Sequence, residues 1–216
     1  MRKAKNRERV LEASIDLFNQ SGVVAITTNH IADHLKISPG NLYFHFRNKE
    51  AIIVELFEQM TNDVYGVWKP ALKSKPGEEL LPAAMIEQTF EVFFKFRFFH
   101  REMYHLRRKD PVLAAKWKTH INKSVRLLTA YYGHWVKSGI MKKVTDPKEM
   151  QMISDVVLIT SSSFLQFFES PTKPATRRSI RDGVGHILRF LLPYHTDSAQ
   201  SELRVRLRGS VSSDRN

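Results

Sequence analysis

Thr27, Thr28, Asn41, Tyr43, His45 and Lys49 lie close together in the chain and offer hydroxyl, amide, imidazole and ammonium groups. An asparagine can pair bidentately with N6 and N7 of adenine, whereas Thr, Tyr, His and Lys reach phosphate oxygens. That is the chemistry of recognition, and the residues needed for bond-making are poorly supplied. Cysteine is missing, which removes thiolate nucleophiles, thiolate metal sites and disulfides. His30 and His34 sit one helical turn apart, but no Glu adjoins them as in the His-Glu-x-x-His zinc motif. There is no Gly-rich phosphate loop and no nucleophile elbow. The expectation is a binding protein, not an enzyme, with no cofactor and no bound metal.

The recognition residues need elements to hold them. Apolar residues recurring at spacings of three and four predict short helices over about 29–35 and 39–47. Helices this short do not stand alone in water, so Ile31, Ala32, Leu35, Ile37, Leu42 and Phe46 must pack behind them. Thr28 is placed to cap the first helix and Ser38 the second, with Pro39 at the first helical position, where its missing N–H costs nothing. The link Lys36-Ile37-Ser38 completes a helix-turn-helix, whose second helix enters the major groove by its N-terminal end. With Leu42 and Phe46 inward, Gly40, Asn41, Tyr43 and Phe44 lie partly outward, and Gly40 lets backbone approach DNA closely.

The rest of the chain also reads as helix, which predicts an all-α fold of about nine helices. Beyond a first helix over 3–20, ended by Ser21-Gly22, further helices are expected near 49–69, 79–98, 100–109, 112–138, 148–169 and 175–192. Three regions follow: a helix-turn-helix domain over 1–48, a larger helical domain over 49–194, and a polar tail with little packing over 195–216. The formal net charge of +12 favours polyanionic partners, because each cation that neutralises a phosphate releases a condensed counterion. The basic start runs into Asn6-Arg7-Glu8-Arg9 rather than an apolar stretch, and no run approaches the roughly 18 apolar residues of a membrane span. A cytoplasmic location with no membrane partner is therefore expected.

Thr27-Thr28, Ile31-Ala32, Ser38-Pro39-Gly40-Asn41-Leu42-Tyr43, His45-Phe46 and Asn48-Lys49-Glu50 resemble the signature of the TetR family. Ala13 to Phe18, followed by Gly22, resembles that family's first helix, so the likeness spans roughly residues 8–57. It implies an Ω-shaped, all-α bacterial homodimer with an N-terminal three-helix DNA-binding domain, usually a repressor released from a palindromic operator by a small ligand. It also implies Asn29 and Asn41 near bases, and Thr28, Tyr43, His45 and Lys49 on phosphates. One departure is Lys36, where the family usually has Gly. A left-handed backbone there costs a non-glycine residue about 1 kcal/mol, and the side chain can instead reach phosphate.

The resemblance implies two further surfaces in the larger domain. Trp68, Phe90, Phe93, Phe94, Tyr104, Trp117, Tyr131, His134 and Trp135 are candidate walls of a cavity for an unidentified, hydrophobic small-molecule effector, with ordinary core as the plainer alternative for each. Val156, Ile159, Phe164, Phe167, Val184, Ile187, Leu188 and Leu191 are candidates for a four-helix homodimer interface, with Ser161-Ser162-Ser163 allowing close approach. A basic stretch from Lys95 to Arg126 holds ten Lys and Arg against Glu102 and Asp110. It fits an anionic ligand, a DNA contact or a solvated face. An activator of the same fold and a nonspecific basic DNA-coating protein are the competing functional readings.

Overall fold

The first helix loses its regular course at Gly22, whose φ of 78° and ψ of 156° are open to glycine and strained for any other residue. In this computed structural model, which describes residues 2–73, 82–170, 174–201, 203 and 204, α1 (Arg2–Ala25) resumes for a last turn beyond that kink. The expected stop at Ser21-Gly22 thus becomes a bend. It is followed by α2 (Thr28–Leu35), α3 (Pro39–His45), α4 (Lys49–Ala71), α5 (Pro82–Lys95), α6 (Arg97–Lys109), α7 (Pro111–Lys137), α8 (Pro147–Phe168) and α9 (Arg177–Leu191). The described residues form no named strand, and an isolated antiparallel bridge joins Met141 and His195. No helix of the described residues is long and apolar enough to cross a membrane.

The chain packs as two compact units, Met1–Asp63 with Val92–Lys118 and Val64–Glu91 with Thr119–Asn216. One apolar cluster joins Val10 and Phe18 of α1, Ile31 and Ala32 of α2, Leu42 of α3, Ile52, Leu56 and Phe57 of α4, and Phe98 and Phe99 of α6. Two helices as short as α2 and α3 need that much backing. Polar contacts fasten α6 to α1. The Asn19 amide donates to the Lys95 carbonyl at 2.8 Å and accepts from the Phe98 N–H at 3.1 Å, and the Glu102 carboxylate accepts from the Val23 N–H at 2.8 Å.

In the second unit α8 and α9 pack on each other closely enough that a Cβ at Gly183 would lie 2.4 Å from the Phe164 ring. This corrects the expected interface list. Phe164, Val184, Ile187, Leu188 and Leu191 are already buried within the single chain, with Phe164 against Gly183 where α8 meets α9. The serine run does not bring the helices together either, since Ser161 and Ser162 donate to carbonyls of their own helix, Val157 and Leu158, at 2.6 Å. Ile159 and Phe167 remain exposed, at 63% and 83%, with Met152 at 45% and Val156 half-buried on the same helix.

The tail expected from residue 195 starts out packed. His195 is 3% exposed and hydrogen-bonds the Leu191 carbonyl at 2.8 Å, Thr196 bonds the carbonyls of Gly139 and Ile140, and Leu203 is buried. The polar composition of this segment concealed a few well-placed anchors. Residues 205–216 lie outside the described residues.

Candidate nucleic-acid interface

Thr27, rather than the expected Thr28, caps α2. Its hydroxyl accepts from the His30 N–H at 3.2 Å, while the His30 ring accepts from the Thr27 N–H at 3.3 Å, so the two residues satisfy each other. Thr28 is thereby released, and its hydroxyl lies 3.1 Å from that of Tyr43 on α3. The turn closes on Lys36 at φ 55° and ψ 43°, with the Lys36 N–H on Asp33 O and the Ile37 N–H on Ala32 O. That is a Schellman ending built on a lysine, with the left-handed backbone that the departure from Gly foretold. Ser38 caps α3 as expected, accepting from the Asn41 N–H at 3.2 Å, with Pro39 at the first helical position.

These local bonds set the direction of α3. Leu42 and Phe46 are 0% and 3% exposed, whereas Pro39, Gly40 and Asn41 are exposed, with Tyr43 at 50% and Phe44 at 65%. His45 is half-buried with its ring edge-on to Phe44 at 5.2 Å between centroids. Asn29 is exposed and Thr28 half-buried on the first turn of α2, and Lys36 is exposed at the turn. Ser38, Gly40, Asn41, Tyr43 and Phe44 therefore form one solvent-facing end, with Thr28 tied to it.

Lys49, expected on phosphate, is half-buried and bonded within the chain. Its ammonium donates to the carbonyls of Val23 and Ile26, each at 2.7 Å, holding the strand of chain between α1 and α2. Burial lowers its pKa from the usual lysine value, with Lys109 adding to that and the carboxylates of Glu50 and Glu102 opposing it. Glu102, Asn19 and Arg101, which donates to Asn19 O at 2.6 Å, also support this end, and sequence reasoning missed them. Their partners are about eighty residues away in the chain, so no local pattern announces them. Arg7 is paired with Glu55 and sits over the Phe46 ring at 4.9 Å.

The nine proposed cavity residues are shared between the two units. Trp68, Tyr131 and Trp135 form an aromatic group in the second unit, with Trp68 and Tyr131 centroids 4.8 Å apart and the Trp68 N–H on Thr89 at 2.7 Å. The buried Tyr131 phenol has its pKa pushed up to about 12, chiefly by burial. Phe90 meets Phe164 in the same unit with the rings tilted and 5.2 Å between centroids, and His134 is half-buried one position before Trp135. Phe93 packs on His100, Phe94 lies under Arg97 and Trp117 meets Phe57, all in the first unit. Tyr104 is 55% exposed, in the first unit.

Comparison with known proteins fits this geometry. Residues 72–203 match the family described as "Bacterial transcriptional repressor", and residues 10–56 match "Bacterial regulatory proteins, tetR family". The chain belongs to the TetR family. A solved TetR-family transcriptional regulator from Marinobacter aquaeolei VT8 superposes with a TM-score of 0.81 at 28% identity, covering 94% of this chain and 98% of that one. KstR2 of Mycobacterium tuberculosis, a ketosteroid transcriptional regulator, shares the fold with a TM-score of 0.65 at 19% identity over 89% and 96% of the chains. The class A tetracycline repressor from transposon 1721 of Escherichia coli is 43% identical over 51 residues, and KstR2 of Rhodococcus jostii is 28% identical over 89. Those stretches cover 24% and 41% of this chain, and 24% and 44% of the relatives' own lengths. As a TetR-family protein the chain is a DNA-binding transcriptional regulator, and its relatives are regulators rather than enzymes.

Proposed function

We propose that this regulator is a homodimeric repressor that grips palindromic operator DNA through α3 and releases it when a small hydrophobic molecule binds. One observation carries the DNA contact: α3 is buttressed on one side by Leu42 and Phe46 and bare on the other. Such a helix can lay its N-terminal end in a major groove. Asn41 is assigned to a base edge, with Asn29 beside it. Phe44 is assigned to apolar contact with a thymine methyl group, the kind of contact an exposed aromatic ring can make. Thr27, Thr28, Tyr43, His45 and Lys36 are assigned to phosphates, while Ser38, Pro39 and Gly40 bring backbone close. Lys49 acts from behind, through the carbonyls it holds.

Selection of bound sequences from a random DNA pool tests this reading. The expected product is a palindrome whose half-sites lie about one helical turn, roughly 34 Å, apart; a pool returning no enriched sequence overturns it. Asn41→Ala is expected to relax preference at one operator position by about 1–3 kcal/mol.

The dimer is supported by the apolar side chains that α8 leaves in water, Met152, Ile159 and Phe167. Contiguous exposed apolar surface of this kind marks an interface. Ile159→Glu with Phe167→Glu is expected to halve the sedimenting mass and to weaken operator binding. The effector is assigned to the second unit, where Trp68, Tyr131 and Trp135 cluster. A ligand that prefers a conformation with the wrong spacing of recognition helices lowers operator affinity by that preference. Native mass spectrometry of the purified protein, before and after extraction with organic solvent, checks for it.

A further inference from the structure

The residues up to Asp63, which include the helix-turn-helix and the acidic first half of α4, carry no net charge to offer DNA. Residues 1–63 carry eight Lys and Arg against eight Asp and Glu, whereas residues 92–118, packed in the same unit, carry eight against two. The excess is therefore concentrated on α6 and the start of α7. Both acids there are occupied, Glu102 by the Val23 N–H and Asp110 by the N–H groups of Val112 and Leu113 at the start of α7. Lys95 and Lys116 are paired with Asp63 and Glu58.

The C-terminal turns of α6 hold three more, Arg107, Arg108 and Lys109. Tyr104 is exposed between two guanidinium groups, Arg107 at 5.6 Å and Arg108 at 5.7 Å from its ring, and its hydroxyl lies 3.4 Å from Arg108. Arg107 is held on its other side by the Trp117 ring at 5.5 Å. Arg108 and Lys109 are exposed. A groove of about 460 Å³ lies between this end and the start of α4, with Lys109 and Asp110 on one wall and Arg47 and Asn48 on the other. Glu50, Glu55 and Glu58 also line it, but Glu55 is tied to Arg7 and Glu58 to Lys116. Lys109 and Lys49 meanwhile repel each other. Cations brought together beside Arg47 and Asn48, which follow α3 in the chain, with their neighbouring carboxylates largely engaged, are complementary to a row of phosphates.

We infer that the C-terminal turns of α6, through Arg108 and Lys109 steadied by Tyr104 and Arg107, form a second, sequence-independent binding surface for the phosphate backbone of the same duplex that α3 reads. Preformed contacts between a ring and two guanidinium groups reduce the rotamer freedom lost on binding, so these side chains suit a fixed phosphate path. The surface supplies affinity without base preference, since phosphate contacts position a protein and carry no sequence information.

The test uses the full chain and a random-sequence 40-base-pair duplex, with the dissociation constant measured by fluorescence anisotropy over a range of salt. Each phosphate neutralised contributes about 0.9 to the slope of log affinity against log salt. Arg108→Gln with Lys109→Gln is expected to flatten that slope by about two, and Arg108→Gln alone by about one. Arg108→Lys, which keeps the charge, should leave it near the parent value. A control pair in the second unit, Lys137→Gln with Lys143→Gln, removes the same charge and should leave the slope unchanged. An unaltered slope in the α6 double variant overturns the inference, as does equal flattening in the control, which would mean that net charge alone attracts DNA. Failure here is separable from failure of the α3 reading: the random pool would still yield an operator while the slope stays put, whereas the reverse pattern would leave α6 standing and remove α3. Thermal melting of each variant confirms that it is folded.

Discussion

Lys36 holds φ 55°, the one positive value at a non-glycine among the described residues. The left-handed backbone strains any residue with a Cβ by about 1 kcal/mol, and glycine offsets part of that by its greater freedom when unfolded. Lys36→Gly is therefore expected to raise stability by about 0.5 kcal/mol, read as a higher urea midpoint. If Lys36 also touches phosphate, the same variant loses about one unit of salt slope on DNA, so one substitution separates strain from contact. Lys49 behaves oppositely. Its two bonds to Val23 and Ile26 carbonyls are charge-assisted, and Lys49→Ala is expected to cost about 1–3 kcal/mol of stability. A variant that binds DNA poorly yet melts like the parent would return Lys49 to the phosphate list.

At the scale of elements, α8 and α9 depend on a missing side chain. The Phe164 ring occupies the space that a Cβ at Gly183 would need, and the ring is itself wedged against Phe90 and Phe168. Gly183→Ala is expected to destabilise the protein by about 1–3 kcal/mol through overpacking, visible as a lower thermal midpoint. Gly183→Ala combined with Phe164→Leu should recover part of the loss, because the smaller side chain vacates the contact. The α6–α1 contacts work at the same scale: Asn19 and Glu102 satisfy backbone groups on the partner helix and so fix the seat of the recognition domain on α6.

At the scale of the whole molecule, pH acts through a residue far from the DNA-facing end in sequence. His195 is buried, and burial lowers its pKa from 6.5, partly opposed by its bond to the Leu191 carbonyl. The unfolded chain takes up a proton near pH 6.5 while the folded chain resists it to a lower pH. This contribution to stability is therefore fully present above that value and is lost as pH falls through the folded pKa. His195→Phe should flatten the acid side of the stability profile, with urea midpoints compared between about pH 7.5 and pH 5. An identical acid dependence in parent and variant would assign the effect to the other histidines.

Local spacing was enough to place the helices, to cap α3 with Ser38 and Pro39, and to turn Leu42 and Phe46 inward while Asn41 and Tyr43 face out. Those features follow from the helical period and from bonds spanning three or four residues, so they can be read from neighbours in the chain. The direction of the Lys49 ammonium, the seat of α6 on α1, and the burial of Phe164 and Leu188 within the chain came only with the tertiary structure. An apolar stripe says that a face is covered but not by what. The absent Cβ of Gly183 is what lets α9 come close enough to cover Phe164.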